Sequence, residues 1–172
     1  MNGIEKNSKY KHIVFICDDN YITPTAVAIR SLCDHIKRIE ENTYVIHILT
    51  WGLNEKSIES LHKSANGMAD VVIVQINKEK YSHYLDRINQ NSHVTPIALL
   101  KFEIANYVDA DTALYLDSDI VFNNDISEIF SIDITGNILA SSFELLHYID
   151  KLYLENERSV SEFYFNSGVM LL

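Results

Sequence analysis

The 172-residue sequence predicts an α/β fold built on a mostly parallel sheet flanked by helices. Three observations lead there. Short apolar runs rich in β-branched residues alternate with segments of helical periodicity, the pattern of successive strand–helix units. Two of those runs stop at acidic turn clusters, Asp18-Asp19-Asn20 and Asp117-Ser118-Asp119. Only 2 Pro and 5 Gly occur, with no repeat, low-complexity tract or linker, so one domain is expected from residue 12 to residue 172. The polar stretch MNGIEKNSKYK, residues 1–11, precedes it as a leader without the apolar centre of a signal peptide.

The elements follow in order. HIVFIC, residues 12–17, reads as a strand buried on both faces. After the first acidic cluster, Pro24 opens a helix with Thr23 as its N-cap, and Ala26, Ala28, Ile29, Leu32 and Cys33 form its apolar stripe. YVIHILT, residues 44–50, is a second strand, and Asn54 caps a helix carrying Ile58 and Leu61. VVIVQI, residues 71–76, is a third strand, followed by a short helix over 78–88. Thr95-Pro96 starts a helix through Ile97, Leu100, Ile104 and Tyr107. TALYL, residues 112–116, is a fourth strand ending at Asp117-Ser118-Asp119, a short strand is expected near 138–141, and FYFNSGVMLL closes the chain. That apolar ending is expected to stop inside a larger fold, which makes residues 12–172 a domain incomplete at its C-terminus.

Composition excludes several function classes. Fourteen Lys and Arg against 24 Asp and Glu give a net charge of −10, with no basic run, so nucleic acid is not an expected partner. No apolar run approaches the roughly 18 residues that cross a bilayer. The expected location is the cytoplasm, with contact at the inner face of the membrane no more than peripheral. Cys17 and Cys33 are too few for a disulfide framework and read as buried thiols. Neither a GxGxxG nor a GxxxxGK[ST] loop is present, so a dinucleotide fold and a P-loop both lack support.

The chemistry is expected where ligands bind in open α/β sheets, beyond the carboxyl ends of the strands. Asp117 and Asp119 stand two apart, so in extended backbone both carboxylates face one side. Like charges held close repel unless a cation lies between them. Hard oxygen donors suit Mn²⁺ or Mg²⁺, which takes one or two carboxylates and completes its shell with substrate phosphates and water.

HIVFICDDNYITPTAVAIRSL, ALYLDSDIVFNNDISEIF and FYFNSGVMLL together resemble the three signature blocks of the family 8 glycosyltransferases. The resemblance spans residues 12–172 and implies a GT-A-type fold, a metal-binding D-x-D and a UDP-sugar donor, UDP-glucose or UDP-galactose. By the same resemblance Ile16, Asp18 and Asn20 match positions contacting uracil and ribose, and Tyr21 is similar to an aromatic stacking near the base. Asp117 and Asp119 match the metal pair, with Ser118 between them as a residue whose backbone approaches the ribose. Asn166, Ser167 and Gly168 match the FNxG segment beside the donor sugar and diphosphate, and Glu144 matches an acidic position facing sugar hydroxyls. Glu144 and Asn166 are thus the candidates for catalytic roles. Lys101 is the one basic residue available in the helix before the fourth strand, where the family carries a residue that reaches the donor.

The family's third metal ligand, a histidine, and a downstream acidic–Gln segment match nothing in the chain. The acceptor implied is a saccharide such as lipopolysaccharide or another cell-surface glycan, and the apolar edge at the chain's end would favour self-association. The alternative carried with this reading is a nucleotide-sugar-binding protein with little or no turnover. IVFICDDN also resembles the opening of a response-regulator receiver, and LYLDSDIVF that of a haloacid-dehalogenase-type phosphatase. The first lacks its phospho-accepting Asp after the third strand, and the second sits 116 residues too late.

Overall fold

The structure is a computed structural model, and it describes residues 10–36, 44–85, 95–144 and 164–172. Six strands form one mixed sheet in the order β3-β2-β1-β4-β6-β5. They are β1 (Lys11–Ile16), β2 (Tyr44–Thr50), β3 (Asp70–Gln75), β4 (Ala113–Leu116), β5 (Ala140–Glu144) and β6 (Tyr164–Leu171). β1 pairs in parallel with β2 and β4, and β2 with β3. β6 runs antiparallel between β4 and β5.

The centre of this sheet is apolar on both sides, and alternation along each strand sorts the residues. Ile13, Phe15, Ile46, Ile48, Leu114 and Leu116 pack under two helices, α1 (Ile22–His35) and α2 (Glu55–Ala65). Val14, Ile16, Leu49, Ala113, Tyr115 and Met170 face the other layer, which contributes Tyr81, Ile97, Leu100 and Ile104. A strand covered on both faces needs apolar residues at every position, which is why HIVFIC and ALYL read as unbroken runs. β3 is an edge strand, and all its residues are intermediate or exposed instead.

Several elements depart from the sequence expectations. Thr23 is not the N-cap of α1. Asp18 accepts from the Asn20 N–H and caps a single 3₁₀ turn, Asp19–Tyr21, which runs straight into α1 at Ile22. Pro24 falls in the first helical turn, where its missing N–H leaves no bond unmade. The expected helix over 95–107 is a 3₁₀ segment, Pro96–Glu103, followed by one α turn, α4 (Ile104–Tyr107). Its buried residues Ile97 and Leu100 are three apart, a spacing that eclipses in a 3₁₀ helix, so this winding holds both on the sheet. The same step places Ala98 and Lys101 together on the neighbouring face. The helix expected over 78–88 is likewise a 3₁₀ turn, Lys78–Tyr81, then α3 (Ser82–Leu85), and residues 86–88 lie outside the described residues. The strand near 138–141 begins only at Ala140, with Ile138 89% exposed before it. Asn54 does cap α2, its side chain accepting from the Ser57 N–H at 3.0 Å. Among the described residues no helix is long and apolar enough to cross a membrane.

Candidate functional site

Strand order reverses at β1: the chain leaves it on one side for β2 and β3, then crosses to β4 on the other. Parallel connections diverging from adjacent strands leave a crevice at their carboxyl ends. An open cleft of about 200 Å³ occupies that point. Its floor and rim carry Ile16, Asp18, Tyr21, Lys101, Asp117, Ser118 and Asp119, with Cys17, Tyr115 and the 95–98 segment completing the wall. Three carboxylates therefore share the cleft with one ammonium, an excess of two negative charges.

The D-x-D is not extended as expected. Ser118 and Asp119 form a turn directly after β4, so strand alternation is not what aims the two carboxylates at the cleft. Ser118 turns inward, 5% exposed, and its hydroxyl donates to the Ile16 carbonyl at 3.0 Å. That bond fastens the end of β4 to the end of β1 across the crevice. Removing it strands a buried acceptor, so Ser118→Ala is expected to lower stability by about 1–2 kcal/mol. Thermal melts of the two proteins measure this as a fall of a few degrees.

Asp117 is held from three sides. Its N–H donates to the Gly168 carbonyl at 2.7 Å, extending the β4–β6 ladder by one residue. Its Oδ1 accepts from the Tyr115 hydroxyl at 2.5 Å and lies 3.1 Å from the Lys101 ammonium. Its Oδ2 faces Gly168, where a Cβ would stand 2.8 Å away. The Lys101 ammonium also donates to the Ser167 carbonyl at 3.1 Å and to the Ser167 hydroxyl at 3.4 Å, and lies 4.7 Å from the centre of the Tyr115 ring. Burial, then the hydrogen bond and charge of Asp117, hold the Tyr115 phenol far above its usual range, so it remains a donor. Burial pushes the Cys17 thiol up to about 11, with Asp18 and Asp19 adding to the shift, so the sulfur lining the cleft stays protonated.

The other expected residues distribute unevenly. Asn20 is exposed and is not among the cleft-lining residues; its N–H donates to Asp18 Oδ1 at 2.9 Å and so fixes that carboxylate. Asn166 Oδ1 accepts from the Gly168 N–H at 2.8 Å, closing a small turn inside β6. Ser167 and Gly168 reach the site through Lys101 and Asp117 respectively. Glu144 lies in β5. It ends β5 opposite Tyr164, at the same end of the sheet as the cleft but five residues further along β6 than Val169, which pairs with Leu116.

Sequence reasoning passed over two residues. Tyr115 was read only as part of a strand, although a tyrosine in a fully buried run needs a partner for its hydroxyl. Asp19 was read only as part of an acidic cluster. Its Oδ1 accepts from the Ser57 hydroxyl at 2.6 Å and from the Asn54 side chain and backbone at 2.9 and 3.2 Å. The Ser57 bond, then those of Asn54, hold the Asp19 carboxyl below its usual range and tie the turn bearing Asp18 to the start of α2.

Two carboxylates with hard oxygen donors, and a glycine where a side chain would crowd one of them, fit a divalent ion that completes its shell with ligand oxygens. Among the described residues no three His, Cys, Asp or Glu side chains cluster as a complete metal site.

Comparison with known proteins bears on this arrangement. The sequence model described as "Glycosyl transferase family 8" matches residues 12–172. Glycosyltransferase GlyA of Streptococcus pneumoniae serotype 4 is 25% identical over 169 residues, 98% of this chain and 21% of that protein. Glycosyltransferase GlyF of the same organism is 24% identical over 163 residues, 94% of this chain and 36% of the relative. The crystal structure of galactosyltransferase LgtC with donor and acceptor sugar analogues superposes with a TM-score of 0.77 at 24% identity. That likeness covers 94% of this chain and 57% of LgtC, and it shows a shared fold. The chain thus spans well under two thirds of the length of each of these proteins.

Proposed function

The chain belongs to glycosyl transferase family 8 and has its GT-A-type α/β fold, and from that premise we propose that residues 12–172 form the donor-binding domain of a metal-dependent, retaining hexosyltransferase using a UDP-sugar. The observation carrying the proposal is the charge of the cleft. Three carboxylates and one ammonium would repel a diphosphate, and a divalent cation would cancel that excess of two negative charges.

In this reading Asp18, oriented by Asn20, accepts from a uracil N–H or a ribose hydroxyl, and Ile16 and Tyr21 supply apolar walls for the base. Asp117 and Asp119 would hold Mn²⁺ or Mg²⁺. When bound, the ion supplies positive charge against the departing diphosphate. Lys101 adds a second cation, free to pass its ammonium from Asp117 and Ser167 to a diphosphate oxygen. Asn166, Ser167 and Gly168 line the approach to the sugar. As the bond from the anomeric carbon to the diphosphate oxygen breaks, an acceptor hydroxyl oxygen forms the new glycosidic bond on the same face, and its proton passes to the departing diphosphate. None of the described cleft residues has the setting of a strong covalent nucleophile, so the reading includes no glycosyl-enzyme step. The acceptor is a saccharide of the cell-surface type, UDP-glucose or UDP-galactose is the donor, and lipopolysaccharide is one acceptor to try.

Calorimetric titration of UDP into the purified chain tests the proposal, run with Mn²⁺ and with EDTA, beside GDP and ADP. Expected is Mn²⁺-dependent binding that prefers UDP, with slow release of hexose from one of the two UDP-sugars. No binding at millimolar UDP in Mn²⁺ would sink the proposal.

A further inference from the structure

Metal-binding carboxylates work in one orientation, and an aspartate left alone at a strand end has a broad, roughly two-fold choice about its last torsion. Asp117 is partly open to solvent, its side chain 40% exposed, so packing does not make that choice. Two donors do, and both address the same oxygen. Tyr115 and Lys101 converge on Oδ1, and Oδ2 is the oxygen on the Gly168 side. The donors differ in kind. Lys101 is a cation on a flexible stem, and in the donor-site reading a diphosphate would draw it away. Tyr115 is 3% exposed, locked in β4 among Val14, Ala113 and Met170, and cannot follow. Its O–H···O contact with a carboxylate, at 2.5 Å, belongs to the short, charge-assisted class.

We infer that Tyr115 is the positioning residue of the metal site: its buried hydroxyl fixes Asp117 with Oδ2 presented to the cation, whether or not Lys101 is engaged. The inference rests on the donor-site reading above. Tyr115 touches neither nucleotide nor sugar in this scheme and acts only through Asp117. Partners that orient a ligating group typically account for about 10–100-fold in metal affinity.

Tyr115→Phe isolates the hydroxyl, because the ring still fills its place in the core and still lies beneath the Lys101 ammonium. The Mn²⁺ concentration giving half-maximal UDP binding is measured for both proteins by calorimetry, together with UDP affinity in EDTA and the melting temperature. Expected is a rise of about tenfold in the Mn²⁺ midpoint with the EDTA affinity unchanged. A merely structural role would lower the melting temperature and leave that midpoint in place. A midpoint within threefold of wild type, in a wild type that binds Mn²⁺ and UDP, overturns the inference and spares the donor-site reading. A wild type that shows no Mn²⁺-dependent UDP binding overturns both. Should Tyr115→Phe not fold, carbon-13 NMR of labelled tyrosine in the wild type asks the same question. The Tyr115 Cζ resonance is then expected to move on titration of Mg²⁺ with UDP, and a resonance that stays in place overturns the inference.

Discussion

Metal-dependent binding of UDP is expected to vanish when Asp117 and Asp119 are both replaced by asparagine. The substitutions conserve volume, and an amide oxygen still accepts from the Tyr115 hydroxyl, so the end of β4 keeps its shape. Only charge is removed. The cleft changes from three carboxylates and one ammonium to one of each, and its call on a divalent cation disappears. A loss of at least a hundredfold in UDP affinity in Mn²⁺ corresponds to about 2.7 kcal/mol or more. In EDTA the two proteins should bind alike, or the variant slightly better, because repulsion of the diphosphate has been relieved. The Lys101–Asp117 ion pair is also lost, but that carboxylate is partly solvated and such pairs contribute only about 0–1 kcal/mol. Thermal melts should therefore stay close to wild type. Calorimetry with and without Mn²⁺ measures the effect, and equal binding in Mn²⁺ would reduce the D-x-D to an ordinary acidic turn.

The sheet could be read from the sequence because its signal is local. A strand buried on both faces has to be largely apolar, and HIVFIC, YVIHILT and ALYL, with His12, His47 and Thr50 as their polar members, show that without reference to anything distant. The position of the cleft followed as well, since acidic turns at two strand ends mark a switch point once the strands are parallel. What the sequence hid depends on contacts between segments far apart in the chain. The helix expected over 95–107 was a matter of period, and apolar residues three apart suit 3₁₀ winding as well as α until the sheet beneath them decides. Glu144 became a strand residue because β6, some twenty residues further on, was there to pair with it. Composition and spacing alone do not separate Asp19 from Asp18; its bonds to Asn54 and Ser57 of another element make it a structural carboxylate, while Asp18 lines the cleft. Ser118, expected to act through its backbone near the ribose, has a side chain that fastens β1 to β4.

Gly168 gives the second large effect, and one that separates site geometry from site charge. Its backbone torsion is not in the left-handed region, so alanine meets no conformational penalty there. The obstacle is space. A Cβ would lie 2.8 Å from Asp117 Oδ2 and 2.9 Å from Asn166 Oδ1, both closer than carbon and oxygen tolerate. Each of those atoms ends a side chain, so the protein can yield by rotating them and remain folded. Neither is free to rotate without loss. Asn166 Oδ1 would give up the Gly168 N–H, and Asp117 would give up its alignment with Tyr115 and Lys101. Gly168→Ala is therefore expected to shift the melting temperature by only a few degrees, as for a loss of about 1 kcal/mol in a domain of this size. Mn²⁺-dependent UDP affinity should nevertheless fall by tenfold or more, because the methyl group fills the space beside the oxygen left to the cation. Combining Gly168→Ala with the asparagine pair should add little beyond the pair alone, since both act on one carboxylate. Full additivity in calorimetry would mean that Gly168 serves the ligand directly, through close backbone approach, and not through Asp117.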